Sequence, residues 1–280
     1  MSKLNIVVFT TLAMFAFAGN SLLCRLALKS TNIDAATFTS VRLFSAALAL
    51  WLLLSLRGIQ SSSLGSWPSA IALFVYAAGF SFAYINLTAA TGALLLFGSV
   101  QLSMICFGIW RGERISVAQM LGLFAAFGGL VALVLPGLSA PPLLNSTLMI
   151  SAGFAWGIYS LRGRTAGDPT MTTAGNFMRT IPITLVLSLL WYRHMVVDVA
   201  GVGFAIASGA VTSGIGYAIW YKVLPSLKAT QAATVQLSVP VIAAAGGMIL
   251  LGEPVTLRFV ASSLAILSGI ALVIFEKSKT

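Results

Sequence analysis

Apolar residues in this chain run in long blocks of roughly 17 to 25, the length a helix needs to cross a hydrocarbon core of about 30 Å. Glycine, proline and charged residues punctuate the blocks. Read as runs and breakers, the pattern predicts helices near 4–24, 35–56, 67–87, 92–110, 115–135, 146–161, 174–192, 199–221, 229–251 and 257–275. The connections are short, and the most proline-rich, Pro136-Gly137 followed by Pro141-Pro142, falls near the middle. The expected architecture is an all-α integral membrane protein of about ten transmembrane helices, in two five-helix halves, residues 1–138 and 139–280.

Composition strengthens this reading. Of 280 residues, 59% are hydrophobic and 8% charged, with mean hydropathy +0.99, where soluble domains carry roughly 25% charged residues. The net charge of +10 would suggest nucleic acid in a soluble protein. Here the basic residues sit singly or in pairs at the ends of apolar runs, as topology signals. With a cytoplasmic N-terminus, Lys3, Arg57, Arg111, Arg114, Arg162, Arg164, Lys222, Lys228, Lys277 and Lys279 lie inside and Arg25, Lys29, Arg193 and Arg258 outside. That bias places both termini in the cytoplasm of a multi-pass inner-membrane protein. Lys3, the apolar stretch and Ala16-Phe17-Ala18 imitate a cleavable signal, but the apolar run continues past Gly19 through Leu22 and Leu23, so a retained first helix is expected.

The halves echo each other. A shift of 140 residues superposes Gly112-Glu113 on Gly252-Glu253, Ile115-Ser116 on Val255-Thr256, Gly129 on Gly269 and Ala93 on Ala233. A second echo sets Val100-Gln101-Leu102-Ser103 against Val235-Gln236-Leu237-Ser238 at a shift of 135. Arg42 in helix 2 and Arg179 in helix 7 form a further pair. Because five is odd, the second half must enter the membrane from the other side, which makes the arrangement an inverted repeat.

The Gly-Glu-x-[Ile/Val]-[Ser/Thr] turns before helices 5 and 10, the arginines of helices 2 and 7 and the ten-helix duplication resemble the EamA-type members of the drug/metabolite transporter superfamily, over almost the whole chain. The resemblance implies a pseudo-two-fold bundle with a central cavity, helices 5 and 10 at the periphery, and alternating access for amino acids or other small metabolites. It also implies an exporter or exchanger. Pro240 in helix 9 fits the family, whereas Val100 stands at the corresponding place in helix 4, so the two halves need not bend alike.

An arginine deep in the membrane costs about 2.5 to 3.5 kcal/mol even on mild scales, so Arg42 and Arg179 are expected to face the bundle interior. Either one holds a substrate carboxylate, or each lies near a helix end and snorkels to backbone carbonyls. Asn20, Gln101 and Gln236 at mid-helix either join helices by hydrogen bonds or line a site. Tyr84, Trp156, Tyr159, Tyr217 and Trp220 are candidates for its wall, against the alternative of an interfacial belt. Gly112, Glu113, Gly252 and Glu253 read as structural turns, with the carboxylates favoured by nearby helix N-termini. The remaining acids, Asp34, Asp168, Asp198 and Glu276, also fall in loops or tails, so no intramembrane carboxylate relay is visible.

Cys24 and Cys106 have no partner spacing and read as packing thiols. No cofactor or metal is expected, and with a single histidine, His194, no enzyme constellation is visible. The expected partners are a small-molecule solute and the lipid bilayer, not nucleic acid. The alternative to a solute carrier is a membrane scaffold or assembly protein that transports nothing.

Overall fold

The computed structural model of the chain describes residues 2–58, 65–110, 116–135, 140–163, 168–227, 235–236 and 238–275. Every regular element among them is helical. In order these are α1 (Lys3–Ser30), α2 (Ala35–Leu56), α3 (Trp67–Tyr84), α4 (Ala89–Trp110), α5 (Val117–Val134), α6 (Leu143–Gly163) and α7 (Pro169–Trp191). There follow α8 (Val199–Ile206), a π-helical segment (Ala207–Ile215), α9 (Gly216–Val223), α10 (Ser238–Leu251) and α11 (Leu257–Phe275). The α8, π and α9 pieces run without a break as one rod, Val199–Ser226. Helix thus occupies each apolar block. By length and apolarity, six elements can cross a membrane: α1, α2, α3, α4, α7 with its terminal 3-10 turn, and the rod.

The starts of these helices follow from local chemistry, because the first amides of a helix need an acceptor and Ser, Thr or Asp supplies one. Asp34 accepts from Ala36 and Thr37 at 2.9 and 3.0 Å, Asp168 from Met171 at 2.8 Å and Asp198 from Gly201 at 2.9 Å. Ser116 and Gln119 form a reciprocal capping box on α5.

One boundary differs from the expectation in a way that matters. The first helix does not end near residue 24 but continues to Ser30, because Leu26, Ala27 and Leu28 are good helix formers with no breaker among them. Arg25 and Lys29 therefore ride on the last turns of α1 instead of in a loop.

Each helix divides into a buried stripe and an exposed one. In α2, Phe38, Arg42, Ala46 and Leu50 recur at helical spacing and are buried, while Phe44, Leu48, Trp51 and Leu52 are exposed. Large apolar side chains pointing outward on most helices are what a lipid solvent requires. α5 packs mainly on α11, α2 on α7 and the rod, α1 on the rod and α10, and α6 on α3 and α4. These contacts come in exchanged pairs. α1 against α10 answers α6 against α4, α3 against α6 answers the rod against α1, and α2 against the rod answers α7 against α3.

Candidate solute site

Five buried stripes bring polar groups to one place in the interior. On α1 the stripe Met14, Phe17, Asn20/Ser21, Cys24 carries Asn20, and on α2 it carries Arg42. Along α3, Tyr76, Phe80 and Tyr84 stand at successive four-residue intervals, and α6 contributes Trp156 and Tyr159. The rod adds Ser208, Thr212 and Ser213 from its π segment and Tyr217 and Trp220 from α9. The π winding pairs residues five apart, which puts Ser208 and Ser213 on a common face. Gly209 lets this segment press onto α2 at the Arg42 carbonyl and the Ser45 hydroxyl.

Arg42 is 1% exposed. Its Nε donates to Ser213 Oγ at 3.2 Å, and its Nη2 donates to the Tyr76 and Tyr217 hydroxyls at 3.1 and 3.2 Å. The guanidinium carbon lies 4.8 Å from the Phe80 ring centroid and 5.3 Å from that of Tyr76, within cation–π range. The two phenols share a hydrogen bond of 3.1 Å. Asn20 Nδ2 donates to Tyr76 at 3.0 Å, and its Oδ1 accepts from Ser208 and Thr212 at 2.5 and 3.4 Å. At the centre, Arg42 Nη1 and Trp156 Nε1 are buried donors with no acceptor among the described residues, and the Ser21 and Tyr159 hydroxyls beside them are likewise buried without a partner.

Aromatic rings close around this network. Trp156 lies 4.8 Å from Tyr76 and 4.7 Å from Tyr217, centroid to centroid, and 5.5 Å from Tyr159. Phe17 reaches Trp156, Tyr217 and Trp220 at 5.7 to 5.8 Å. The centre is thus sealed in this conformation, with Arg42, Trp156, Tyr217 and Trp220 all buried.

The sequence-derived candidates fall into four groups. Asn20, Arg42, Trp156 and Tyr217 meet at the centre, with Trp220 and Tyr159 joined to it through Phe17 and Trp156. Tyr84 lies further along α3, edge-on to Phe80 at 4.7 Å between centroids and donating to the Ala89 carbonyl at 3.3 Å. Gln101 and Gln236 are buried on α4 and just ahead of α10. Arg179 stands apart from Arg42: it is half-buried on α7, and its Nη1 donates to Gly175 O of its own helix at 3.0 Å.

Glu253 does not sit over the start of its own following helix, α11. Its Oε1 accepts from Arg25 Nε at 2.8 Å and its Oε2 from the Ala89 amide at 2.7 Å, so the helix N-terminus it serves is that of α4. Gly252 has φ +61, a left-handed conformation suited to glycine, and this turn aims Glu253 inward. Gly112 and Glu113 lie outside the described residues. No carboxylate among the described residues approaches Arg42, since Asp34, Asp168 and Asp198 cap helices and Glu253 is held by Arg25.

Sequence reasoning passed over Tyr76, Ser213, Ser208, Thr212 and Phe17 as site members. Two signals were available. Gly79-Phe80 and Tyr84 recur as Gly216-Tyr217 and Tyr221, 137 residues on, the same offset as Arg42 to Arg179. Ala16-Phe17 and Ser21 recur as Ala155-Trp156 and Ser160, 139 residues on. The serines and threonine of the π segment carry no such mark, because small hydroxyl residues are common in membrane helices.

Residues 144–275 match the model of the EamA-like transporter family. An uncharacterized protein of Pseudomonas aeruginosa is 53% identical over 269 residues, which is 96% of this chain and 94% of that protein. An uncharacterized transporter of Archaeoglobus fulgidus is 25% identical over 248 residues, covering 83% and 84% of the two chains. A solved crystal structure shares the fold at TM-score 0.69 with 17% identity, over 96% of this chain and 98% of that one. A multi-pass helical bundle of this sequence belongs to the EamA-like transporter family.

Proposed function

We propose that the protein carries small organic metabolites, amino acids and related carboxylates among the candidates, across the inner membrane by alternating access, as an exporter or exchanger with both termini in the cytoplasm. The solute site is the centre built from Asn20, Arg42, Tyr76, Trp156 and Tyr217. Its walls come from both five-helix halves, residues 1–138 and 139–280, acting as an inverted repeat of ten spans. The exchanged pairs of helix contacts support that relation, since three contacts of one half against the other have counterparts with the roles reversed.

The observation that carries the reading is Arg42 itself. A guanidinium buried within an apolar helix, with neutral partners only, is costly to hold, and a solute carboxylate arriving there gains charge-assisted bonds. The test is flux of radiolabelled amino acids and organic acids through proteoliposomes of the full chain, repeated with Arg42→Ala. Saturable flux lost in a variant that retains its melting transition is expected. Undiminished flux in Arg42→Ala refutes the site.

A further inference from the structure

Resting on the reading of the Arg42 centre as the solute site, we propose that the favoured solute is a net monoanionic organic acid with a second oxygen acceptor beside its carboxylate, of the 2-oxo or 2-hydroxy acid class with an apolar remainder, and not a zwitterionic amino acid.

Two inventories lead there. The first is charge. Arg42 contributes one full positive charge, and the described carboxylates are all engaged elsewhere: Asp34, Asp168 and Asp198 on helix starts, Glu253 on Arg25 and the Ala89 amide. One solute anion completes the charge balance. An α-ammonium would place a second cation beside the guanidinium with no carboxylate to meet it.

The second is hydrogen-bonding capacity. Tyr76, Tyr217, Ser213 and the Asn20 amide oxygen already accept at least one bond each. Tyr76 accepts from Arg42 and Asn20, Tyr217 and Ser213 accept from Arg42, and Asn20 Oδ1 takes Ser208 and Thr212. Two groups that can only donate are left over at the centre among the described residues, Arg42 Nη1 and Trp156 Nε1, on side chains that are 1% and 3% exposed, and beside them the Ser21 and Tyr159 hydroxyls are buried without a partner. An indole nitrogen only donates, and so does a guanidinium. Two spare donors suit a carboxylate oxygen and a neighbouring carbonyl or hydroxyl oxygen. An ammonium, itself three donors, finds no carboxylate among the described residues there and only neutral hydroxyl oxygens to give them to. The ring of Trp156, packed between Tyr76 and Tyr217, makes this tryptophan the residue that would read the second oxygen, while Phe17 and Trp220 offer apolar surface for the remainder.

The test uses the full chain in phosphatidylethanolamine and phosphatidylglycerol liposomes with matched pairs: phenylpyruvate against phenylalanine, and 4-methyl-2-oxopentanoate against leucine. The expected result is that each oxo acid moves about tenfold or more faster than its amino acid, since buried polar groups left unpaired reject a mismatched analogue, with the flux dependent on Arg42. Trp156→Phe keeps a ring and removes the donor. It should raise the KM for phenylpyruvate towards that for 3-phenylpropionate, which lacks the second oxygen, and raise the latter by a smaller factor. Amino acids moving as fast as the oxo acids, in an Arg42-dependent way, would overturn this proposal and leave the site standing. Flux of neither class, or flux indifferent to Arg42→Ala, would overturn the site and the proposal together.

Discussion

Arg25 and Glu253 are separated by 228 positions in the chain, and their side chains meet at 2.8 Å as an ion pair, 12% and 4% exposed. The pair ties the last turns of α1 to the turn between α10 and α11. Through the Ala89 amide and the Tyr84 and Ile85 carbonyls it also binds the junction of α3 and α4. Lys29 adds a bond to Leu251 O at 2.7 Å. One end of the bundle is therefore tied together by charge-assisted bonds, beyond the hydroxyl and ring contacts that enclose Arg42.

Removing one member of that pair leaves the other buried and uncompensated, which costs about 3 to 5 kcal/mol in comparable settings. Glu253→Ala is expected to lower the melting temperature markedly in detergent. Arg25→Met with Glu253→Met should recover much of the loss. Single and double variants with equal losses would refute a specific pair.

At Arg42 stability and transport should part company. Arg42→Met removes a buried charge without a counterion, so the melting temperature should hold or rise. Solute flux should fall about ten- to a hundredfold, the worth of a charge-assisted hydrogen bond of roughly 1.5 to 3 kcal/mol. A variant that loses its folded state along with its flux would instead make Arg42 a structural residue.

Two glycines of the rod should respond oppositely to alanine. At Gly209 a Cβ meets the Ser45 hydroxyl and the backbone of Arg42, and forcing α2 away costs about 1 to 3 kcal/mol. At Gly203 a Cβ meets nothing within 4 Å, so alanine should gain about 0.4 to 1 kcal/mol by restricting the unfolded chain. Thermal melts of Gly209→Ala and Gly203→Ala check both signs.

Asp198, at the start of α8, has its carboxyl held below the usual range, chiefly by the Gly201 amide and despite some desolvation. A depressed folded value stabilises above the unfolded one, about 3.9, and that contribution fades as pH falls through the folded value. The melting-temperature difference between the wild type and Asp198→Ala should be constant near neutrality and shrink below about pH 4. A difference unchanged at pH 3 would show that the carboxylate charge plays no part in the cap.

How much of this was legible beforehand differs by feature. The helices were, because lipid as solvent forces long apolar blocks with self-satisfied backbones. Arg42 was conspicuous for the same reason, a charge where the surroundings are apolar. Its neutral setting was not, since the partners come from α3 and the rod and depend on how those helices are rotated.

By itself, then, the sequence determined the helical blocks, their caps and the rarity of charge within them, all consequences of local pattern and solvent. Only the tertiary structure decided that Arg42 is drawn into the centre while Arg179 bonds its own helix, that the π winding of Ala207–Ile215 lines up Ser208 and Ser213, and that Glu253 serves α4 and Arg25. Those outcomes depend on helix rotation and on close approaches at glycines, and many residue patterns of the same periodicity allow several of each.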